Sequence, residues 1–303
     1  MYAHALVWWS DRRYKKKTMD KTNKERGNLV ITGASRGLGR HMAIYLSKQG
    51  FRVFAGCRNP SDLLEENGER LVPFRLDVTE EYSITAAVEM VSEAVGNNGI
   101  SGLVNNAGIV VFGPVEQVPM EEIEIQMRVN VMGPILLTKK FLPLLRLARG
   151  RIVNLSSVNG FLSPPYMGIY SASKFALEAL SDSLRLELKP WGIHVSVVQP
   201  GLYVSDIRAK AVESWEKYAG GLPDSEQQLY RSGFEQTSRL IQGFDQAAAN
   251  PQEVSEVLLE ALTSESPSAR YLVGETAQQM GGMKSMTDET RDESILQLWD
   301  QGF

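Results

Sequence analysis

Residues 29–48 read as strand, glycine turn and helix in immediate succession, an order that few folds accommodate. Leu29-Val-Ile-Thr32 is a short β-branched run, Gly33-Ala-Ser-Arg-Gly37-Leu-Gly39 follows it, and Arg40-His-Met-Ala-Ile-Tyr-Leu-Ser-Lys48 then places apolar residues at helical spacing. Glycines in such a turn let the backbone approach a pyrophosphate, whose charge is favoured by the unpaired N–H groups of the helix start. The spacing Gly-x-x-x-Gly-x-Gly differs from the commoner Gly-x-Gly-x-x-Gly. Alone, the turn is equally readable as a plain tight turn.

The same alternation continues along the chain. Gly50 closes the helix and Phe51-Arg-Val-Phe-Ala-Gly-Cys57 makes a second strand. Arg58 stands nineteen residues after Gly39, where an acidic residue would hold the ribose 2′-hydroxyl of NAD(H) and an arginine suits the 2′-phosphate of NADP(H). Arg36 can reach that phosphate from the turn, so NADP(H) is favoured over NAD(H). Leu71-Val-Pro-Phe-Arg-Leu-Asp77 reads as a third strand, with Thr79 as the expected cap of a helix to about Val95. Asp77, at that strand's end, can accept a hydrogen bond from an adenine amino group or simply serve the turn. Leu103-Val-Asn-Asn-Ala-Gly108 is a fourth strand running into a glycine turn, where Asn105 and Asn106 can tie strands together or touch a cofactor.

A helical pattern from Met120 to about Leu147 is interrupted by Asn130, Gly133 and Pro134, the signature of a kink. Strands follow at Arg151–Ser156, Ile193–Gln199 and Ala269–Val273, with a helix from Pro251 to about Leu262 between the last two. The order predicts the α/β class: a Rossmann-like, doubly wound parallel sheet of about seven strands in one domain. Ligands bind outside the carboxyl ends of such strands, where the glycine turn, Asp77, Ser157 and Pro200 fall.

Tyr170 and Lys174 are four residues apart and share one helix face, which brings an ammonium near a phenol. A nearby buried cation favours phenolate and fits the phenol to trade a proton with an alcohol or carbonyl. Ser157 lies upstream, at the end of an apolar strand, where its hydroxyl can polarise a carbonyl oxygen; the three groups are expected to converge on one oxygen. In isolation, a Tyr-x-x-x-Lys pair also fits a solvated helix surface.

Composition removes several alternatives. With 43% apolar residues in 303, the chain can build a full core. A formal charge of -4 argues against nucleic acid as the main partner. Cys57 is the only cysteine, so a reducing, cytoplasmic setting is the simple expectation and a Cys/His zinc site is excluded. His4, His41 and His194 show no metal-ligand spacing, so no metal is expected. No apolar run is long enough to span a membrane. Residues 1–26 combine the short patch Ala5-Leu-Val-Trp-Trp9 with Lys15-Lys16-Lys17 and read as a disordered extension, with an organellar presequence or a membrane-surface contact as alternatives.

Taken together, Thr32–Gly39, Leu76-Asp77-Val78, Asn105-Asn-Ala-Gly108, Asn130-Val-Met-Gly133, Ser157, Tyr170-Ser-Ala-Ser-Lys174 and Pro200-Gly201 resemble the short-chain dehydrogenase/reductase family in order and spacing. The resemblance covers about residues 28–205. It implies that Tyr170 is the general acid in carbonyl reduction and the base in alcohol oxidation, and that Lys174 lowers its pKa and holds the nicotinamide ribose. It further implies that Ser157 positions the substrate oxygen and Asn130 keeps a water in the proton relay. Cofactor contacts are implied for Gly33, Ser35, Arg36, Gly37, Leu38 and Gly39, for Arg58, Asp77 and Val78, and for Asn106, Ala107 and Gly108. Tyr170, Lys174, Pro200, Gly201 and Ser205 complete that set, with Ser205 standing where many relatives have threonine.

Phe51-Arg-Val-Phe-Ala-Gly and Pro190-Trp-Gly-Ile-His-Val are similar to the steroid- and retinol-dehydrogenase branch. Residues 202–250, with Trp215, Tyr218, Tyr230, Phe234 and Phe244, are expected to form a substrate lid within a catalytic domain of residues 27–275. Their aromatic spacing fits plain packing as well as a ligand cage, and an apolar lid suggests a lipophilic or bulky carbonyl or alcohol substrate. The polar segment 276–303 is expected to be a partly mobile tail. By resemblance, the kinked helix and the Tyr170 helix carry dimer contacts, so a homodimer or homotetramer is expected. A non-catalytic protein that senses NADP(H) is the alternative to the enzyme, against which the full set Ser157, Tyr170, Lys174 and Asn130 argues.

Overall fold

In the computed structural model each apolar run becomes a strand because a helix carries the chain back to start the next one alongside. The structure describes residues 26–66, 69–201, 203, 212–213, 215–216, 220–246 and 250–301. Residues 1–25 of the expected extension, Ser205 and Tyr218, and the side chain of Phe244, lie outside this description.

The first half of the chain runs β1 (Asn28–Thr32), α1 (Gly37–Lys48), β2 (Arg52–Cys57), β3 (Leu71–Arg75), α2 (Glu81–Val95), β4 (Gly102–Asn105), α3 (Met120–Met127) and α4 (Gly133–Ala148). The second half runs β5 (Arg151–Leu155), α5 (Gly168–Glu187), β6 (His194–Pro200), α6 (Asp224–Gln246), α7 (Gln252–Thr263), β7 (Arg270–Val273), α8 (Glu275–Gly281) and α9 (Asp288–Gln301). The strands form one seven-stranded sheet in the order β3-β2-β1-β4-β5-β6-β7. Every neighbouring pair is parallel, with Ile31 opposite both Ala55 and Val104, and Asn105 opposite Asn154. Strand order reverses between β1 and β4, which opens a crevice at their carboxyl ends.

Successive side chains of a strand face opposite sides, so a sheet covered on both faces needs apolar residues at every position. Leu29 and Ile31 pack with Met42 and Leu46 of α1 and Val254 and Leu258 of α7. Val30 and Phe54 point the other way, toward Ile84 and Val91 of α2 and Leu137 and Phe141 of α4. Each such side chain, wholly removed from water, contributes roughly 1.5–3 kcal/mol.

One expectation needs correction. Thr79 does not cap α2: the helix starts one residue later, and the Thr79 hydroxyl donates to Asp77 Oδ1 at 2.7 Å and its N–H to the same oxygen at 2.9 Å. Glu80 takes the cap position, without a side-chain bond. The interruption expected within 120–147 takes the form of a π-helical segment, Arg128–Met132, whose buried residue is Asn130. The polar segment after β7 is helical. It forms α8 and α9, and Trp299 of α9 stacks on Tyr166 with ring centroids 5.3 Å apart. Among the described residues, no helix is long and apolar enough to cross a membrane.

Candidate active site

The glycine turn lies at the β1–β4 crevice and is fixed by sequence-distant polar bonds. Thr32 Oγ1 accepts from the N–H groups of Asn106 and Ala107 at 3.0 and 2.9 Å, while Asn106 Nδ2 donates to the carbonyls of Thr32 and Gly33 at 2.8 and 3.2 Å. A methyl group on Gly39 would sit 2.2 Å from the Gly33 carbonyl oxygen and 2.4 Å from Asn106 Nδ2, so only glycine lets α1 start this close to β1. Gly33 and Gly37 have φ values of 66° and 52°, a conformation that suits glycine. No side chain caps α1 and its first turn carries no acid, which leaves its N-terminal dipole directed at the crevice.

A cleft of about 560 Å³ opens there. Gly33, Ser35, Arg36, Gly37, Leu38 and Gly39 form its floor, and Arg58, Asp77 and Val78 form one end. Asn106, Ala107 and Gly108 continue the wall from β4, and Tyr170, Lys174 and Pro200 close the other end. Arg36 and Arg58 both line the cleft and are both exposed. Asp77 has one carboxylate oxygen engaged by Thr79. Gly201 does not line the cleft: its N–H extends the sheet to the Val273 carbonyl at 2.9 Å, and a Cβ there would meet α8. A glycine floor without room for side chains, an uncapped helix start and two cations in the lining fit a dinucleotide phosphate chain.

At the far end, α5 presents Tyr170 and Lys174 one turn apart, with Lys174 Nζ 5.7 Å from the phenol ring centroid. Lys174 is buried, and its Nζ donates to the Leu155 carbonyl at 2.8 Å. Burial lowers its pKa to about 8, while the Glu178 carboxylate acts in the opposite direction. Asn130 lies behind the wall. Its Oδ1 accepts from the Ile109 N–H at 2.9 Å, and its Nδ2 donates to the Ile109 carbonyl at 2.9 Å and to Ser173 Oγ at 3.0 Å. Ser173 donates to the Tyr170 carbonyl at 2.7 Å, so the π segment, the β4 loop and the first turn of α5 are locked together. Asn130 Oδ1 and Lys174 Nζ would both lie within 3.7 Å of a Cβ on Gly108.

Ser157 is not in the cleft wall, although its neighbour Ser156 is. Its Oγ accepts from the Asn159 N–H at 3.2 Å and so caps the turn Val158–Gly160. Asn159 in turn donates to Ser171 Oγ at 3.2 Å, which ties this turn to the start of α5 beside Tyr170.

Sequence reasoning missed the loop after β4 and the α3 face, where Ile109, Val111, Glu122 and Ile125 line the cleft. These positions follow no period, so the sequence carried no signal for them. It also missed the role of Tyr166. This residue has φ 63°, a conformation costing about 1–3 kcal/mol that persists only where contacts enforce it. Its ring meets Phe112, Tyr230 and Trp299, its carbonyl accepts from Gly113, and Gly233 of α6 packs directly on its hydroxyl. Tyr166 therefore joins the expected lid to the body, with the Trp215 and Phe234 rings tilted against each other, 5.1 Å apart, beside Phe112. Among the described residues no group of His, Cys, Asp and Glu side chains can hold a metal ion.

Known proteins share this arrangement. Residues 28–216 match the short chain dehydrogenase family. Mouse retinol dehydrogenase 5 is 37% identical over 255 residues, covering 81% of this chain and 80% of that protein. Bovine 17-beta-hydroxysteroid dehydrogenase type 6 is 36% identical over 289 residues, covering 91% and 87%. A short-chain dehydrogenase from Streptomyces avermitilis superposes with a TM-score of 0.73 at 28% identity, over 92% of this chain and 97% of that one. One from Burkholderia cenocepacia, solved in complex with NADP, gives 0.70 at 25% identity over 90% and 98%. On its fold, its glycine turn and these matches, the chain belongs to the short chain dehydrogenase family of oxidoreductases and falls with its steroid and retinol dehydrogenase branch.

Proposed function

We propose that the protein interconverts a carbonyl and an alcohol on a bulky, lipophilic substrate of the steroid or retinoid kind, with NADP(H) as preferred cofactor. The observation that carries this reading is the placement of Tyr170 and Lys174 in the wall of the same cleft whose floor is the glycine turn. When bound, the nicotinamide supplies or accepts the hydride. Tyr170 then gives a proton to the carbonyl oxygen in reduction and takes it back in oxidation. The Lys174 ammonium stabilises negative charge on the phenol oxygen while the proton is away, and orients the ribose. Ser157, next to the wall residue Ser156, steadies the substrate oxygen when its hydroxyl turns from the Asn159 N–H toward the cleft, and Asn130 holds the relay end of the cleft through Ile109 and Ser173.

Arg36 and Arg58, both exposed and both lining the cleft, support a 2′-phosphate clamp. The aromatic cluster of Phe112, Tyr166, Trp215 and Phe234, together with the retinol and steroid dehydrogenases among the relatives, supports an apolar substrate. Exposed Phe175 and Leu186 on α5, with Met132 and Leu147 at either end of α4, support self-association through these helices.

The reading is tested by NADPH oxidation across ketosteroids, retinaldehyde and small aldehydes, with NADH in parallel. Turnover of a bulky carbonyl with tighter NADPH than NADH binding is expected. Tight binding without turnover of any carbonyl would favour a cofactor sensor, and equal affinity for NADH would refute the phosphate clamp.

A further inference from the structure

Beyond Tyr170 and Lys174, the same face of α5 continues with Glu178 and Asp182, a line of ionisable side chains at four-residue spacing. Glu178 is only 7% exposed, and both its oxygens are claimed: Oε1 accepts from Gln199 Nε2 at 2.8 Å and Oε2 from Arg270 Nε at 2.9 Å. Arg270 also donates to Asp182 at 2.8 Å, and Asp182 takes a second bond from Arg185 at 2.7 Å. Gln199 in turn accepts from Lys284, on the turn Gly282–Ser285, whose ammonium lies 4.0 Å over the Phe161 ring. On the other side, a methyl group at Gly160 would sit 2.8 Å from Glu178 Oε1 and 2.5 Å from Ser156 Oγ. The carboxylate thus lies under the turn that follows Ser157, one helical turn from Lys174.

We propose that Glu178 is a positioning residue for the Tyr170–Lys174 pair, holding Lys174 as its ammonium, and that Arg270 sets how strongly it does so. The proposal rests on the proton-transfer reading of that pair. Gln199 and Arg270 pair the buried carboxylate from the strand side, and along its own helix its neighbour one turn away is the buried Lys174. Among the described residues, the ionisable groups facing Lys174 are Tyr170 and Glu178 on its own helix; the carbonyl of Leu155 and the side chain of Asn130 approach from elsewhere and carry no charge. Glu178 is faced by Arg270 from β7, Lys284 from the turn after α8, and Lys174 and Asp182 on α5. Burial works against the Lys174 cation and Glu178 is the anion that works for it. Arg270 draws on the same anion that favours the Lys174 cation, so removing the charge of Glu178 and removing the charge of Arg270 act on Lys174 in opposite directions.

Lysine side-chain NMR of the full chain tests this without turnover, with the Lys174 signal assigned by its loss in Lys174→Arg. Glu178→Gln keeps the side chain's size and removes its charge. The Lys174 titration midpoint is then expected about one pH unit lower than in the wild type, and the alkaline limb of kcat/KM is expected to move with it. An unchanged midpoint would overturn the proposal, since a merely structural Glu178 alters stability without moving the titration. Should that variant not fold, Arg270→Gln is expected to raise the midpoint, and an unchanged or lowered one would overturn the proposal. A wild type inert toward every carbonyl refutes the oxidoreductase reading instead and leaves the NMR comparison standing.

Discussion

Lys174 and Leu155 are joined by a 2.8 Å hydrogen bond from the buried Nζ to the carbonyl at the end of β5, just before Ser156 and Ser157. A side chain built to reach past its own helix into the strand end is held at one place beside the Tyr170 ring. The chemistry of the cleft then depends on whether that nitrogen carries its proton.

With its pKa lowered from 10.5 to about 8, Lys174 is an ammonium below that value and neutral above it. Carbonyl reduction is therefore expected to hold a plateau below pH 8 and to fall as pH rises through that value. The kcat/KM profile measures this directly. Residual activity of Lys174→Arg, whose guanidinium keeps its charge, is expected to lack the limb.

The same shift has a consequence for stability. Between about pH 8 and 10.5 the unfolded chain keeps a proton on Lys174 that the folded chain has lost, so this residue makes stability rise with pH across that window. Below it, the full cost of the buried cation is present, on the order of 3 kcal/mol. Lys174→Met removes the charge. Thermal denaturation at pH 7 is expected to show a melting temperature above the wild type's, a difference that closes toward pH 10.5, while turnover is lost.

Asn130→Ala deletes three hydrogen bonds and strands the N–H and carbonyl of Ile109. Leaving buried polar groups unpaired costs about 2–4 kcal/mol in total. Urea denaturation is expected to show a lower midpoint with an unchanged slope.

Gly39→Ala places a methyl group against the Gly33 carbonyl and the Asn106 amide, so the turn must open. NADPH affinity by calorimetry is expected to fall at least about tenfold, because the backbone no longer approaches the pyrophosphate as closely. Gly96→Ala is a control for destabilisation at a glycine far from the cleft: its φ is 52° and nothing crowds a Cβ there, so it is expected to lower stability and leave affinity alone.

The sheet and most of the cleft were legible in the sequence because both are written in short-range patterns. Continuous apolar runs such as Leu29-Val-Ile mark strands buried on both faces, and the four-residue step from Tyr170 to Lys174 fixes a shared helix face. Partnerships between distant residues were not legible. Arg270 meets Glu178 across 92 positions of sequence, and no local period announces that pairing. Trp299 on Tyr166 is a case of the same kind, since the polar stretch around Trp299 earns its helix only by packing on α6, where Gln236 reaches the Trp299 carbonyl. Thr79 is not the cap for a different reason: the helix starts one residue further on, and the Thr79 hydroxyl closes a turn with Asp77 instead.

The decisive comparison is carbonyl-dependent NADPH oxidation by the wild type and by Tyr170→Phe, at cofactor concentrations that saturate both. Loss of the phenol oxygen is expected to lower kcat by about 10²–10⁴-fold and leave NADPH affinity within a factor of about two. Equal rates in the two proteins would show that the proton travels by a route without Tyr170.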